Sequence, residues 1–133
     1  MSAKSFFDTN VLIYAFAAND PRSGKAEALL AAGGVISVQV LNEFVNVSRR
    51  KLGRGWADIE SALGVLRTLL DPPLPLTIDL HEAAVAHARD HGFAFYDALI
   101  IATASRSGCN VLYTEDMHHG QSIGRLIIRD PFV

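Results

Sequence analysis

Short apolar runs alternate along the chain with segments whose apolar residues recur every three or four positions, the order expected of βα units around a mainly parallel sheet. The first run, residues 4–8, reads as a strand leading into a helix over 10–17. Pro21 suits the first turn of a second helix, which Gly33 and Gly34 end. Val35, Ile36, Ser37 and Val38 read as a short buried strand. Beyond it Val40, Leu41, Phe44, Val45, Val47 and Leu52 keep helical spacing over 39–52. A further helix is predicted over 56–70, broken by Pro72, Pro73 and Pro75 before a brief strand at 76–78. A helix over 79–90 stops at Gly92. Another over 96–106, apolar almost all round and therefore buried, stops at Gly108. Strands at 110–114 and 125–129 complete the pattern. The expectation is an α/β protein: a three-layer α/β/α sandwich on a five-stranded parallel sheet, forming a single domain over residues 1–133. No internal repeat or low-complexity segment interrupts it, and the prolines mark a connection rather than a domain boundary.

Composition narrows the class without naming a function. A chain of 133 residues suits one domain, which at that size buries about two-thirds of its unfolded surface without disulfides. The hydrophobic share of 50% and charged share of 20% are those of an ordinary globular protein. Cys109 is the single cysteine, so an internal disulfide and a Cys-rich zinc site are both excluded, which suits a reducing compartment. Residues 1–8 lack the charged start and apolar core of a signal peptide, and the apolar runs are too short to span a bilayer. The expected location is the cytoplasm, with no membrane partner. A net charge of −2 gives no global attraction to nucleic acid, so such a partner would need a local basic patch or metal ions.

Four acids change the picture. In an open parallel sheet, ligands bind at the carboxyl ends of the strands. Asp8 ends the first strand and Asp116 follows the strand that closes at Tyr113 and Thr114, so both can project from one rim. Glu43 has Val40 three residues before it and Val47 four after, which places a carboxylate on a largely apolar helix face. Asp97 stands at the mouth of the buried helix with Ile100 and Ile101 one turn on, where a charge is costly unless paired or metal-bound. Asp8 or Asp97 alone is explained as a helix N-cap. Capping explains neither Glu43 in mid-helix nor four acids whose places converge. Carboxylates so gathered repel one another and call for a cation, and an all-oxygen set suits Mg²⁺ or Mn²⁺. Such a site serves phosphodiester hydrolysis and needs no Ser, Cys or His nucleophile.

The motifs Phe7-Asp8-Thr9-Asn10-Val11-Leu12, Val40-Leu41-Asn42-Glu43-Phe44, Tyr96-Asp97-Ala98-Leu99-Ile100 and Leu112-Tyr113-Thr114-Glu115-Asp116 carry a resemblance. In this order and spacing the chain resembles the PIN-domain nucleases, especially the VapC-type toxins of bacterial toxin–antitoxin pairs. The likeness runs through nearly the whole chain, including its ending Ile127-Ile128-Arg129-Asp130-Pro131-Phe132. It implies a five-stranded parallel sheet in the order 3-2-1-4-5 and an Mg²⁺- or Mn²⁺-dependent endoribonuclease acting on RNA. Asp8, Glu43, Asp97 and Asp116 match the acidic, metal-binding quartet of that family. Thr9, Asn10 and Thr114 match its supporting polar groups. The resemblance also implies a homodimer and an inhibitory antitoxin partner. Successive residues leaving a strand point in different directions, so one of Glu115 and Asp116 faces away from the site, and the family pattern favours Asp116 as the inward one.

Other residues carry two readings. Arg49, Arg50, Lys51 and Arg54 cluster at a helix C-terminus, where cations offset the macrodipole; as candidate RNA-binding residues they would equally meet phosphates. His118 and His119 could serve as acid and base in a metal-free ribonuclease, although an exposed loop accounts for them. His81, His87 and His91 read as structural. Trp56, Phe93, Phe95 and Tyr96 read as core or interface rather than base-stacking platforms. Phosphoacceptor signalling domains need an adjacent acidic pair early and a lysine late, whereas Asp8 has no acidic neighbour before Asp20 and no lysine follows Lys51. Haloacid-dehalogenase phosphatases need Asp-x-Asp where this chain has Asp8-Thr9-Asn10. A free-standing RNA-processing nuclease and a catalytically silent partner-binding domain remain as alternatives, the intact quartet arguing against the second.

Overall fold

A computed structural model describes residues 4–133. Residues 1–3, part of the stretch read above for a signal peptide, lie outside the described residues. The described residues form six helices and four short strands. β1 (Ser5–Phe7) runs directly into α1 (Thr9–Ala15), with Asp8 as the cap between them. α2 (Ser23–Ala31) and α3 (Val38–Arg50) follow. Next come α4 (Trp56–Leu69), α5 (Ile78–His91) and α6 (Phe95–Arg106). β2 (Val111–Tyr113), β3 (Ser122–Ile123) and β4 (Leu126–Arg129) end the chain. Side-chain oxygens of Ser37 and Thr77 accept the orphan N–H groups of Val40 and Leu80, which sets the starts of α3 and α5. Gly92, at φ 73°, stops α5 where the sequence places its end.

The expected five-stranded parallel sheet requires correction. The sheet has four strands in the order β1-β2-β4-β3, and it is mixed. β1 pairs with β2 and β2 with β4 in parallel, while β3 runs antiparallel to β4. On the far side of β1 the segment expected as a strand at 35–38 shrinks to two isolated parallel bridges, Phe6 to Val35 and Ser37 to Leu74, and the strand expected at 76–78 does not form, its place being taken by the bridge at Leu74 before it. Two constraints limit them. α3 begins at Val38 and leaves only three residues after Gly34. Pro72, Pro73 and Pro75 flank Leu74 and withhold the N–H donors that a longer ladder needs. Residues 76–77 therefore lead into α5 instead of pairing.

The main core joins Phe6, Phe7, Val11, Leu12, Phe44 and Leu66 with Ile100, Ile101, Leu112 and Ile128. α6 also supplies Ala98, Leu99 and Ala102 to a smaller cluster shared with Leu80 and Ala84 of α5. Burial on both sides explains why its sequence is apolar almost all round. No helix among the described residues is long and apolar enough to cross a membrane.

Candidate active site

The parallel register of β1 and β2 sets Phe7 beside Tyr113, so the residues that follow each strand emerge together at the carboxyl rim of the sheet. The Asp8 N–H donates to the Tyr113 carbonyl at 3.0 Å. One residue further, the Thr114 hydroxyl donates to Asp8 Oδ2 at 2.8 Å. The other carboxylate oxygen, Oδ1, accepts the Thr9 N–H at 2.7 Å. Asp8 is thus both a helix cap and a wall of a cleft of about 410 Å³, which Glu43, Asp97, Glu115 and Asp116 also line. Capping and cleft-lining are compatible at this position. For Asp97 capping does not apply: the cap of α6 is Ala94, and Asp97 lies in the helix's first turn.

Asp8, Glu43 and Asp116 each accept from neutral donors. Thr9 Oγ1 donates to Glu43 Oε2 at 2.8 Å, and Gln39 Nε2 donates to Glu43 Oε1 at 2.9 Å. Asn10 Nδ2 reaches both Thr114 Oγ1 at 3.1 Å and Asp116 Oδ2 at 3.2 Å, while its Oδ1 accepts the Glu115 N–H at 3.3 Å. Asn10 therefore joins α1 to the loop after β2. Glu115 turns toward another group. It accepts from the Tyr14 hydroxyl and pairs with Arg22 Nη1 at 3.4 Å, while Arg22 lies 3.7 Å over the Tyr14 ring and bonds Asp20.

Burial and mutual repulsion disfavour charge in the cleft. The Asp8 carboxyl is pushed up to about 6, first by burial and then by the charges of Glu43 and Asp116, against the opposing hydrogen bonds from Thr114 and Thr9. Asp97 is raised by burial, then by Asp116 and Glu43. Lys51 is the cationic residue on the cleft's border. No group of three His, Cys, Asp or Glu side chains among the described residues forms a ready-made metal cage. The donor set nevertheless fits a hydrated Mg²⁺ or Mn²⁺: it is all oxygen, it gathers acids from four elements of the chain, and such ions take only one or two carboxylates directly while keeping several waters.

The side chains of the basic cluster meet different partners. Arg54 Nη2 donates to the Phe16 carbonyl at 2.9 Å, and Arg49 Nη1 donates to the Arg54 carbonyl at 2.9 Å. The Arg49 guanidinium also stacks 4.7 Å over Trp56, which is 56% exposed and so lies outside the core, one of the two places, core or interface, expected for it. These two arginines tie α3, the loop after it and the end of α1 together. Arg50 is exposed beside them and Lys51 faces the cleft. Tyr96 is 67% exposed and borders the cleft, again outside the core. His118 and His119 are exposed, neither lines the cleft, and His119 Nδ1 accepts the Asp130 N–H. Gln39, Tyr14 and Arg22 were not singled out by the sequence. Only Gln39 left a signal there, a polar residue four before Glu43 on an apolar helix face.

Fold and cleft define a small α/β domain with its carboxylates collected at the carboxyl ends of parallel strands. The family model for the PIN domain matches residues 5–121, and the chain belongs to the PIN-domain family. Solved structures similar to it come from toxin–antitoxin systems. Mycobacterium tuberculosis VapC20, a toxin that cleaves the sarcin–ricin loop, is 25% identical with a TM-score of 0.69, covering 85% of this chain and 92% of that one. A toxin–antitoxin complex from Klebsiella pneumoniae is 24% identical with a TM-score of 0.72, covering 96% and 98%. VapBC2 from Rickettsia felis, bound to a DNA fragment from its promoter, is 21% identical with a TM-score of 0.67, covering 94% and 96%. No curated protein matches the chain by sequence.

Proposed function

We propose that this protein is a divalent-metal-dependent endoribonuclease and the toxin of a toxin–antitoxin pair. The observation that carries the chemistry is the cleft: acids from β1's end, α3, α6 and the loop after β2 face one space, with Asp8 buried among them. Membership of the PIN-domain family supports a nuclease, and the likeness to solved VapC toxins and toxin–antitoxin complexes supports the biological setting.

Asp8, Glu43, Asp97 and Asp116 would hold Mg²⁺ or Mn²⁺. When bound, such a cation supplies Lewis acidity to the phosphodiester and to water. The chain's own contributions follow from its contacts. Thr114 and the Thr9 N–H fix the two oxygens of Asp8, and Asn10 fixes Asp116 relative to α1. Lys51, at the cleft border, would meet an RNA phosphate. A second copy of the chain and a cognate antitoxin complete the proposal, the antitoxin drawing its support from the solved complexes.

The test is cleavage of a mixed RNA pool by purified protein with Mn²⁺ or Mg²⁺, beside EDTA and Asp8→Asn controls. Cleavage that needs the metal and is lost in Asp8→Asn is expected. Cleavage that survives EDTA would reject the metal reading and turn attention to His118 and His119. For the toxin role, induced expression should arrest growth with the native chain and not with Asp8→Asn.

A further inference from the structure

Gln39 is a polar side chain that the fold treats as core. It is 5% exposed, one turn before Glu43 on α3. Its Nε2 donates to Glu43 Oε1 at 2.9 Å and to the Tyr96 carbonyl at 3.2 Å. Both partners are acceptors, so the amide nitrogen and not the oxygen must face them. Oε1 is left buried without a partner. A buried, unsatisfied acceptor carries a desolvation cost that an apolar side chain of similar length would avoid. Stability alone therefore argues for methionine or leucine at this position.

The amide brings two things that an apolar residue lacks. With Thr9 Oγ1 on the opposite oxygen, it grips the Glu43 carboxylate from both sides. Its second bond lands on the residue immediately before Asp97 and so ties α3 to the first turn of α6. Glu43 and Asp97 line the same cleft, where two carboxylates repel each other. A held rotamer and a fixed helix register keep them from swinging apart.

We propose that Gln39 is a positioning residue of the acidic cleft: its amide fixes Glu43 and sets it in register with Asp97 for a divalent cation. The inference rests on the metal-dependent nuclease reading. Gln39 itself would not touch the cation, and supporting groups of this kind change metal affinity by about 10–100-fold when removed.

The experiment compares the native chain with Gln39→Met and with Ser48→Ala. Ser48 is the other buried side chain on α3 with an unpartnered oxygen, and it lies outside the cleft lining. Three quantities are read: thermal midpoint in chelator, Mn²⁺ binding from loss of the free-ion EPR signal, and initial rate on the RNA pool. Both variants are expected to melt at or above the native midpoint. Gln39→Met should bind Mn²⁺ about 10–100-fold more weakly and cleave more slowly by a similar factor, while Ser48→Ala matches the native chain in both. Native Mn²⁺ affinity and rate in Gln39→Met would overturn the proposal. So would a lower melting midpoint with affinity intact, which would assign the amide to the fold. A native chain that neither binds Mn²⁺ nor cleaves RNA would instead bring down the nuclease reading beneath it.

Discussion

Glu115 and Asp116 are neighbours in sequence that answer to different partners. Asp116 bonds Asn10, itself tied to Thr114 and so to the Asp8 network, whereas Glu115 is taken up by Tyr14 and Arg22. Asp116→Ala is therefore expected to reduce RNA cleavage by about 100-fold or more, the scale on which loss of a metal ligand or its close support acts. Glu115→Ala should cost about 10-fold or less. The comparison is made by initial rates at saturating Mn²⁺, and the reverse order would mean that the loop after β2 presents the other carboxylate. The sequence carried this distinction only through the family motif, because Tyr14 and Arg22 lie far from position 115 along the chain. Asp8 and Glu43 were legible on local grounds, one at a strand end and the other on an apolar helix face. The roles of Gln39 and of Arg54 were not, since each depends on a backbone carbonyl contributed by a distant element.

At the scale of elements, the helices were read to within a few residues because apolar periodicity over ten or more positions is a strong signal. The sheet was read less well. A strand of two or three residues has no periodicity to detect, and β3 pairs through a turn at Gly124 that no apolar run announces. The bridge beside β1 shows what limits such short pairing. Gly34 has φ 156°, and a Cβ there would sit 2.5 Å from the Phe7 ring and 2.8 Å from the Ser5 carbonyl. That carbonyl accepts the Val35 N–H at 2.9 Å, so the close approach is the pairing itself. Gly34→Ala is expected to destabilise the protein by about 2–3 kcal/mol, as overpacking and strained backbone do. Urea denaturation checks this, and a loss below about 0.5 kcal/mol, within the range of ordinary surface substitutions, would show that the segment yields without cost. Because Val35 and Ile36 lead into α3, a displaced bridge should also weaken cleavage by moving Glu43.

For the molecule as a whole, the acidic cleft opposes folding in the absence of a cation, and the sign of its pH dependence follows. Asp8 ionises near 3.8 when unfolded and at about 6 when folded, so the folded chain holds its proton more tightly. That contribution to stability is absent well above pH 6, grows as pH falls through 6, and is complete below 3.8. Asp97 acts in the same direction, whereas His87, whose value burial lowers, opposes it, and the Asp20 and Asp90 ion pairs weaken in acid. Comparing the native chain with Asp8→Asn removes those shared effects. In chelator at pH 7, Asp8→Asn should be the more stable of the two. Its advantage should shrink by about 1 kcal/mol at pH 5, the linkage free energy of a single carboxyl shifted this far. Saturating Mn²⁺ should reverse the order at pH 7, because a ligand that binds only the folded state stabilises the chain that binds it more tightly. An Asp8→Asn variant less stable than the native chain in chelator would show that the Thr114 and Thr9 hydrogen bonds outweigh burial at this carboxylate. Asp8 would then be a structural cap first, and the case for a cation would rest on Glu43, Asp97 and Asp116.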